Sequence, residues 1–192
     1  MFSKELADKI DMVAREEIST YGLPTIRHYE LSMENGLKLA KRLNANENLV
    51  KAGIALMDIK LGQAAKEGHQ AQHVKYCVEF AEKLLKDLGV EGLDYDILIN
   101  CVAAHHGAIP FTSLEAEIAA NADCYRFIHP RGVMSFHATV IKRGNEHDAA
   151  LKAVEAKLDE KYRILSLDAA KEDLLEYYRM FKDILITARD KE

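Results

Sequence analysis

Apolar residues recur at helical spacing in one segment of the chain after another. In the first segment, Leu6, Ile10 and Ile18 follow Ser3, a residue type that caps helices well. Comparable stripes predict further helices at about 25–43, 46–59, 70–88, 95–106, 114–128, 146–161 and 168–188. No segment combines sustained alternation of apolar and polar residues with the β-branched residues that are typical of strands. The sequence therefore predicts an all-α fold.

The helical stripes are separated by short segments of turn-forming residues at 21–24, 107–110 and 129–132. A chain of 192 residues with 48% hydrophobic residues and three prolines is long enough to bury a core and has no composition typical of disorder. We therefore expect one domain over residues 1–192.

Acidic residues outnumber basic ones by 31 to 26, which gives a formal charge of −5 at pH 7. This balance argues against nonspecific binding to nucleic acid or to a membrane surface, which favours a basic face. The N-terminal segment lacks the apolar middle of a signal peptide, and no run reaches the ~18 apolar residues of a membrane span. Cys77, Cys101 and Cys124 form no CxxC pair and lie in apolar helical patterns, so we interpret them as reduced core residues. These features predict a cytoplasmic protein with small-molecule chemistry.

The apolar segment 53–60 ends by presenting the carboxylate of Asp58. An ionised Asp is rarely left unpaired at the end of a buried segment, so Asp58 needs a hydrogen-bond partner, a cation or a metal. Other residues with metal-ligand chemistry lie on successive predicted helices: His28, His69, His73, His105 or His106, and Asp123. Each histidine alone is more often a surface or hydrogen-bonded residue than a ligand. The joint pattern favours a metal site.

The order and contexts of these residues resemble the HD-domain superfamily of metal-dependent phosphohydrolases. The matching contexts are Ala-Leu-Met-Asp-Ile at Asp58, Ala-Ala-His-His-Gly at His105 and Asn-Ala-Asp-Cys-Tyr at Asp123, with His28 before them and His73 or His69 between them. The chain departs from the family at Met57, where the signature His is expected, because a thioether is a poor ligand for hard or borderline divalent ions. The resemblance implies a helical bundle of the HD-domain type. Its core would lie at about 25–128, and a C-terminal extension at about 130–192 would add two long helices.

The same resemblance implies a divalent metal cofactor, which would be Mn, Fe, Ni, Co, Mg or Zn. His28, Asp58 and Asp123 would hold one ion, while His73 and His105 would contact a second ion, a water or the phosphate. Asp58, His73 and His105 would be the catalytic residues.

Spacing along the predicted helices indicates which of the neighbouring histidines can face the pocket. His69 and His73 are four residues apart and would share one helix face, so both could reach the pocket. His105 and His106 are adjacent, about a hundred degrees apart on a helix, so we expect one of them to face the pocket and favour His105.

Two branches of the superfamily are not favoured by the motifs. The guanosine tetraphosphate hydrolases and the nucleoside monophosphatases carry an acidic residue just after the His-Asp pair, whereas 59–62 reads Ile-Lys-Leu-Gly. The cyclic dinucleotide phosphodiesterases carry a longer Gly-Tyr-Pro signature, which 105–110 does not match.

Basic residues near the end of the pattern predict a phosphate contact. Lys157 and Lys161 are spaced i, i+4 and would project from one helix face, and Arg126 follows the last candidate ligand. With His69, these are the predicted substrate-binding residues. The alternative for the lysines is a solvated face paired with acidic neighbours such as Glu160.

Two functions from different classes remain. The first is a metal-dependent phosphohydrolase that acts on a phosphate ester or anhydride, with a nucleotide among the candidate substrates. The second is a catalytically degenerate HD-domain protein that binds a ligand or partner, because Met57 has removed a ligand. The predicted partner is a small phosphorylated molecule. The apolar stripes of the last two helices could pack on the bundle or on a second subunit, as in a homodimer.

Overall fold

The computed structural model describes residues 2–189, so the predicted domain limits at 1 and 192 lie outside the described residues. Within that range the chain forms ten α-helices, one 3-10 helix and no strand, and the all-α prediction is confirmed. The helices are α1 (Lys4–Tyr21), α2 (Ile26–Arg42), α3 (Glu47–Met57), α4 (Leu61–Lys66), α5 (His73–Asp87), α6 (Gly92–Ala104), α7 (Leu114–Ile128), α8 (Pro130–Lys142), α9 (His147–Ile164) and α10 (Asp168–Thr187). The 3-10 helix is Gln70–Gln72.

Side-chain caps explain where several helices begin. The Ser3 hydroxyl accepts a hydrogen bond from the backbone N–H of Leu6, as its position before the first stripe predicts. Thr25 and Asn46 cap α2 and α3 in the same way. Each cap satisfies a donor that the helix itself leaves unpaired.

Helix α3 is the centre of the bundle. Eight of its eleven residues are buried, and it contacts α1, α2, α5, α6 and α7. Gly53 permits the close approach of α6, because a Cβ at this position would lie 2.5 Å from the Cys101 Sγ. Full burial of side chains such as Ile54 and Leu56 stabilises the fold by about 1.5–3 kcal/mol each. The rigid core therefore fixes the position of Asp58, the C-cap residue of α3.

Two helices were absent from the sequence prediction. Helix α4 has six residues, too few for a periodic stripe to be recognised. The start of α8 was interpreted as a turn, but Pro130 occupies its first turn, where the missing N–H costs nothing. Gly132 allows α8 to pack against the end of α7, since a Cβ there would lie 2.3 Å from the Arg126 carbonyl oxygen.

The two long C-terminal helices are α9 and α10, and both pack on α7. The three cysteines are free and buried, as their apolar contexts predicted. Within the described part of the chain, every helix is too short or too polar to cross a membrane. The homodimer stays a prediction.

Candidate functional site

One pocket of about 190 Å³ collects most of the predicted site residues. It lies where the end of α3, the start of α5 and the turn after α6 meet α2, α7, α8 and α9. Its polar lining includes His28, Asp58, His73, His106, Asp123, Arg126, Arg143, Lys157 and Lys161. Phe127 and Phe136 form an apolar wall, with their rings edge to face at 5.2 Å.

Asp58, Asp123, Arg126 and Lys161 form a buried group that we call the carboxylate cluster. The Arg126 Nη1 donates to Asp58 Oδ2 and, at 2.7 Å, to Asp123 Oδ1. The Lys161 ammonium lies 2.5 Å from Asp123 Oδ2 and is 0% exposed. Two negative and two positive charges therefore compensate one another inside the protein.

The electrostatics keep both carboxylates ionised. Burial by itself raises the pKa of Asp58, but Arg126 and then His105 lower it, and the net pKa lies well below the ordinary value. Burial likewise raises the pKa of Asp123, while Lys161 and Arg126 together lower it further than burial raises it. Both aspartates are charged at neutral pH.

His73, His105 and His106 form a second group, the histidine cluster, on the other side of Asp58. Their ligand nitrogens lie within 4.8 Å of one another, and His73 Nε2 is 3.1 Å from His106 Nε2. Asp58 Oδ1 lies 3.3 Å from His73 Nε2 and 3.6 Å from His105 Nε2. The carboxylate of Asp58 therefore touches both clusters, one oxygen in each.

Hydrogen bonds orient two of these imidazoles as metal ligands. His105 Nδ1–H donates to the Val102 carbonyl at 2.7 Å, and His73 Nδ1–H donates to the Gln70 carbonyl at 2.9 Å. Each bond directs the Nε2 atom toward Asp58, the arrangement that metal-binding histidines use. The buried His105 Nε2 has no hydrogen-bond partner among residues 2–189. This donor set fits a divalent transition metal ion.

His106 differs from its neighbours because Lys161 donates to its Nδ1 at 3.1 Å. A neutral His106 therefore carries its proton on Nε2. Burial, together with His105 and Lys161, lowers the pKa of His106 to about 3, so the ring is neutral at pH 7.

The residues expected to hold a first ion contact other groups of the chain. His28 Nε2–H donates to the Gly132 carbonyl at 3.1 Å. Met57 lines a small internal cavity of about 10 Å³ together with Asp58 and Arg126, and does not line the main pocket. Arg126 bridges both carboxylates.

The structure also separates residues that spacing had grouped. His69 precedes the 3-10 helix, is exposed and stacks on Tyr76 at 6.3 Å, outside the pocket. The expected shared face with His73 does not exist, because α5 begins only at His73. His105 and His106 follow the last residue of α6. His106 lines the pocket, whereas the fully buried His105 does not line it but places its Nε2 3.6 Å from Asp58 Oδ1, so both imidazoles approach the site.

The predicted basic residues have specific partners. Lys161 is not on a solvated face, since it is buried against Asp123, and Lys157 is at the pocket bonded to Glu160 at 2.8 Å. Sequence reasoning missed Arg143, which lines the pocket and has no ion-pair partner among the described residues. Its only sequence signal was a basic residue near the end of a helix that was not predicted.

No family model matches the chain. It is similar to Ribonuclease Y 2 of Levilactobacillus brevis, with 33% identity over 125 residues, which are 64% of this chain and 21% of that protein. Ribonuclease Y of Listeria welshimeri is 28% identical over 186 residues, or 92% of this chain and 34% of that protein. The chain thus spans about a third or less of the length of these relatives.

Solved structures show the same architecture over nearly the whole chain. Bacillus subtilis YpgQ in complex with ADP has a TM-score of 0.69 at 17% identity, covering 97% of this chain and 95% of that one. A predicted HD superfamily hydrolase from an uncultured Thermotogales bacterium has a TM-score of 0.62 at 20% identity, covering 94% and 89%. This chain has the HD-superfamily fold. The resemblance drawn from its motifs is confirmed at the level of the fold, and the role of each site residue stays a prediction.

Proposed function

We propose that this chain is a metal-dependent phosphohydrolase that acts on a phosphorylated small molecule, with a nucleotide as the substrate class. The observation that carries the proposal is the histidine cluster beside the buried Asp58 carboxylate, with Nε2 of His105 unpartnered and that of His73 directed toward Asp58. His73, His105 and Asp58 would hold the ion. A divalent ion bound there would lower the pKa of a water and polarise a phosphoryl oxygen.

The rest of the pocket supports phosphate binding. Arg143 is exposed and without an ion-pair partner among residues 2–189, so its guanidinium can bind a phosphate through two parallel hydrogen bonds. Lys157 adds a second cation at the pocket, within hydrogen-bond distance of Glu160.

An apolar wall supports a nucleotide over a smaller phosphate ester. Phe127 and Phe136 can pack against a base or a ribose, while the basic residues bind the phosphate. YpgQ, which shares the fold, was solved in complex with ADP, and this supports a nucleotide as the ligand here. The three free cysteines support the proposed cytoplasmic location.

The test combines metal analysis with an assay of phosphate release. Protein purified without chelator would be analysed for bound metal, then supplied with nucleoside mono- and diphosphates or a short RNA and Mn²⁺, Ni²⁺, Co²⁺ or Mg²⁺. We expect bound metal and release of phosphate from a nucleotide. Both should be lost in His105→Ala and retained in His147→Ala, which removes an exposed histidine outside the pocket. Metal-free wild-type protein without turnover would contradict the proposal, and cleavage of RNA alone would contradict the substrate class.

A second candidate function is ligand binding without catalysis. It is favoured by Met57 and by Arg126, which together remove the site for a first ion. In that case calorimetry would detect binding of ADP to the metal-free protein, with no phosphate released under any metal. Metal-dependent turnover would eliminate this alternative.

A further inference from the structure

We propose that Arg126 and Lys161 are built-in cations that take the place of a divalent ion between Asp58 and Asp123, so that this pair of carboxylates binds no metal. The inference goes beyond the proposed hydrolase, since it concerns the carboxylate cluster and not the histidine cluster. It follows from geometry, from charge and from the contacts that already occupy His28 and Met57.

The geometry leaves little of the carboxylates for a metal. One nitrogen, Arg126 Nη1, donates to an oxygen of each aspartate, and Lys161 lies 2.5 Å from the second oxygen of Asp123. Three of the four carboxylate oxygens therefore contact a cation of the chain. The fourth, Asp58 Oδ1, faces His73 and His105.

The charges lead to the same conclusion. Arg126 and Lys161 together carry the two positive charges that one divalent ion would bring. All four side chains are at least nine-tenths buried, so charge cannot be screened by solvent. A divalent ion placed between Asp58 and Asp123 would lie close to both Arg126 and Lys161 and would be repelled by them, because both carboxylates are already neutralised there.

The neighbouring donors are also committed elsewhere. His28 donates its Nε2–H to the Gly132 carbonyl, and its ring packs on Phe127 with centroids 5.4 Å apart. Met57 lines a small cavity with Ile54, Asp58 and Arg126, and a thioether is a poor ligand for a hard or borderline divalent ion. A metal between the aspartates would therefore find no free carboxylate pair, and His28 would have to give up its hydrogen bond to bind it.

The first experiment counts metal ions per chain by mass spectrometry after dialysis against Mn²⁺, Ni²⁺ or Zn²⁺. Wild type is compared with Asp123→Asn, which preserves shape, and with His105→Ala. We expect Asp123→Asn to hold the same number of ions as wild type. Loss of an ion in Asp123→Asn would overturn the inference. Wild type without any ion would agree with it, while counting against the proposed function, so the two failures are distinguishable.

The second experiment removes the built-in cation. Arg126→Met should bind about one more Mn²⁺ per chain than wild type and show a larger rise in melting temperature with Mn²⁺ than wild type does. Arg131→Met is the matched control, because Arg131 makes an exposed ion pair with Glu34, and it should gain no ion. A folded Arg126→Met protein that gains no Mn²⁺ would overturn the inference. If that variant does not fold, the Asp123→Asn comparison decides.

Discussion

The carboxylate cluster and the histidine cluster lie side by side in one pocket and share Asp58, but their polar atoms are satisfied in different ways. Around Asp123, Arg126 and Lys161, every charge has a partner from the same chain. In the histidine cluster, backbone carbonyls orient His73 and His105, and Nε2 of His105 has no hydrogen-bond partner among residues 2–189. We expect the cluster that is neutralised internally to exclude a cation, and the one with oriented imidazole nitrogens to bind one.

The largest effect is expected from removing the bridge in the carboxylate cluster. Arg126→Met would leave two buried, ionised aspartates without their shared partner, and should lower the free energy of unfolding by about 3–5 kcal/mol. Arg131→Met, which breaks an exposed pair, should change it by about 0–1 kcal/mol. Urea unfolding of both variants without metal measures the difference. Equal losses in the free energy of unfolding would show that the buried ion pairs of Arg126 contribute no more to stability than the exposed pair of Arg131.

The next effect concerns the histidine cluster. A divalent ion that binds only the folded protein should stabilise wild type by about 2.7 kcal/mol at a hundred times its dissociation constant. His105→Ala should abolish this gain, while His147→Ala should keep it. Thermal unfolding with and without Ni²⁺ or Zn²⁺ provides the measurement. Stabilisation that persists in His105→Ala would place the ion elsewhere.

Met57→His tests whether the signature histidine alone can restore the missing site. The residue is 2% exposed in a cavity that is also lined by Asp58 and Arg126, which already bond to each other, so an imidazole left without a partner there should destabilise the fold by about 1–3 kcal/mol. Met57→Leu, which conserves volume and polarity, should cost less than about 1.5 kcal/mol. Because Arg126 still bridges both aspartates, we expect Met57→His to bind no additional metal. If Met57→His bound metal more tightly with unchanged stability, the inference that Arg126 takes the place of an ion between the aspartates would be contradicted.

The smallest effect on stability is expected at the edge of the pocket. Arg143→Ala should change the free energy of unfolding by about 0.5 kcal/mol or less, because the side chain is exposed. It should nevertheless weaken ADP binding at least about tenfold, since a charge-assisted hydrogen bond contributes about 1.5–3 kcal/mol. Lys142→Ala removes a neighbouring exposed charge that does not line the pocket. Calorimetry would measure the affinity of both variants for ADP. Equal affinities of Arg143→Ala and Lys142→Ala would refute a role of Arg143 in binding the phosphate.

Sequence patterns were reliable where local rules decide the structure. The Ser3 cap, the buried cysteines and the stripes of α1, α2, α3 and α7 all agree with the described helices. The rules failed at α8, where Pro130 was interpreted as a breaker although proline is tolerated in the first turn. They also failed at His69 and His106, because both lie outside the helices to which helical spacing was applied.

The sequence by itself determined that the chain is helical, that Asp58 and Asp123 are buried and that histidines accompany them, since periodicity and apolar context reflect local burial. Only the tertiary structure decided which cation each carboxylate meets. Arg126 and Asp58 are separated by 68 positions, and Lys161 comes from another helix, so no spacing rule relates them. Contacts between helices depend on how whole faces pack, and that packing made Arg126 a partner of the aspartates and placed Arg143 at the pocket with no ion-pair partner among residues 2–189.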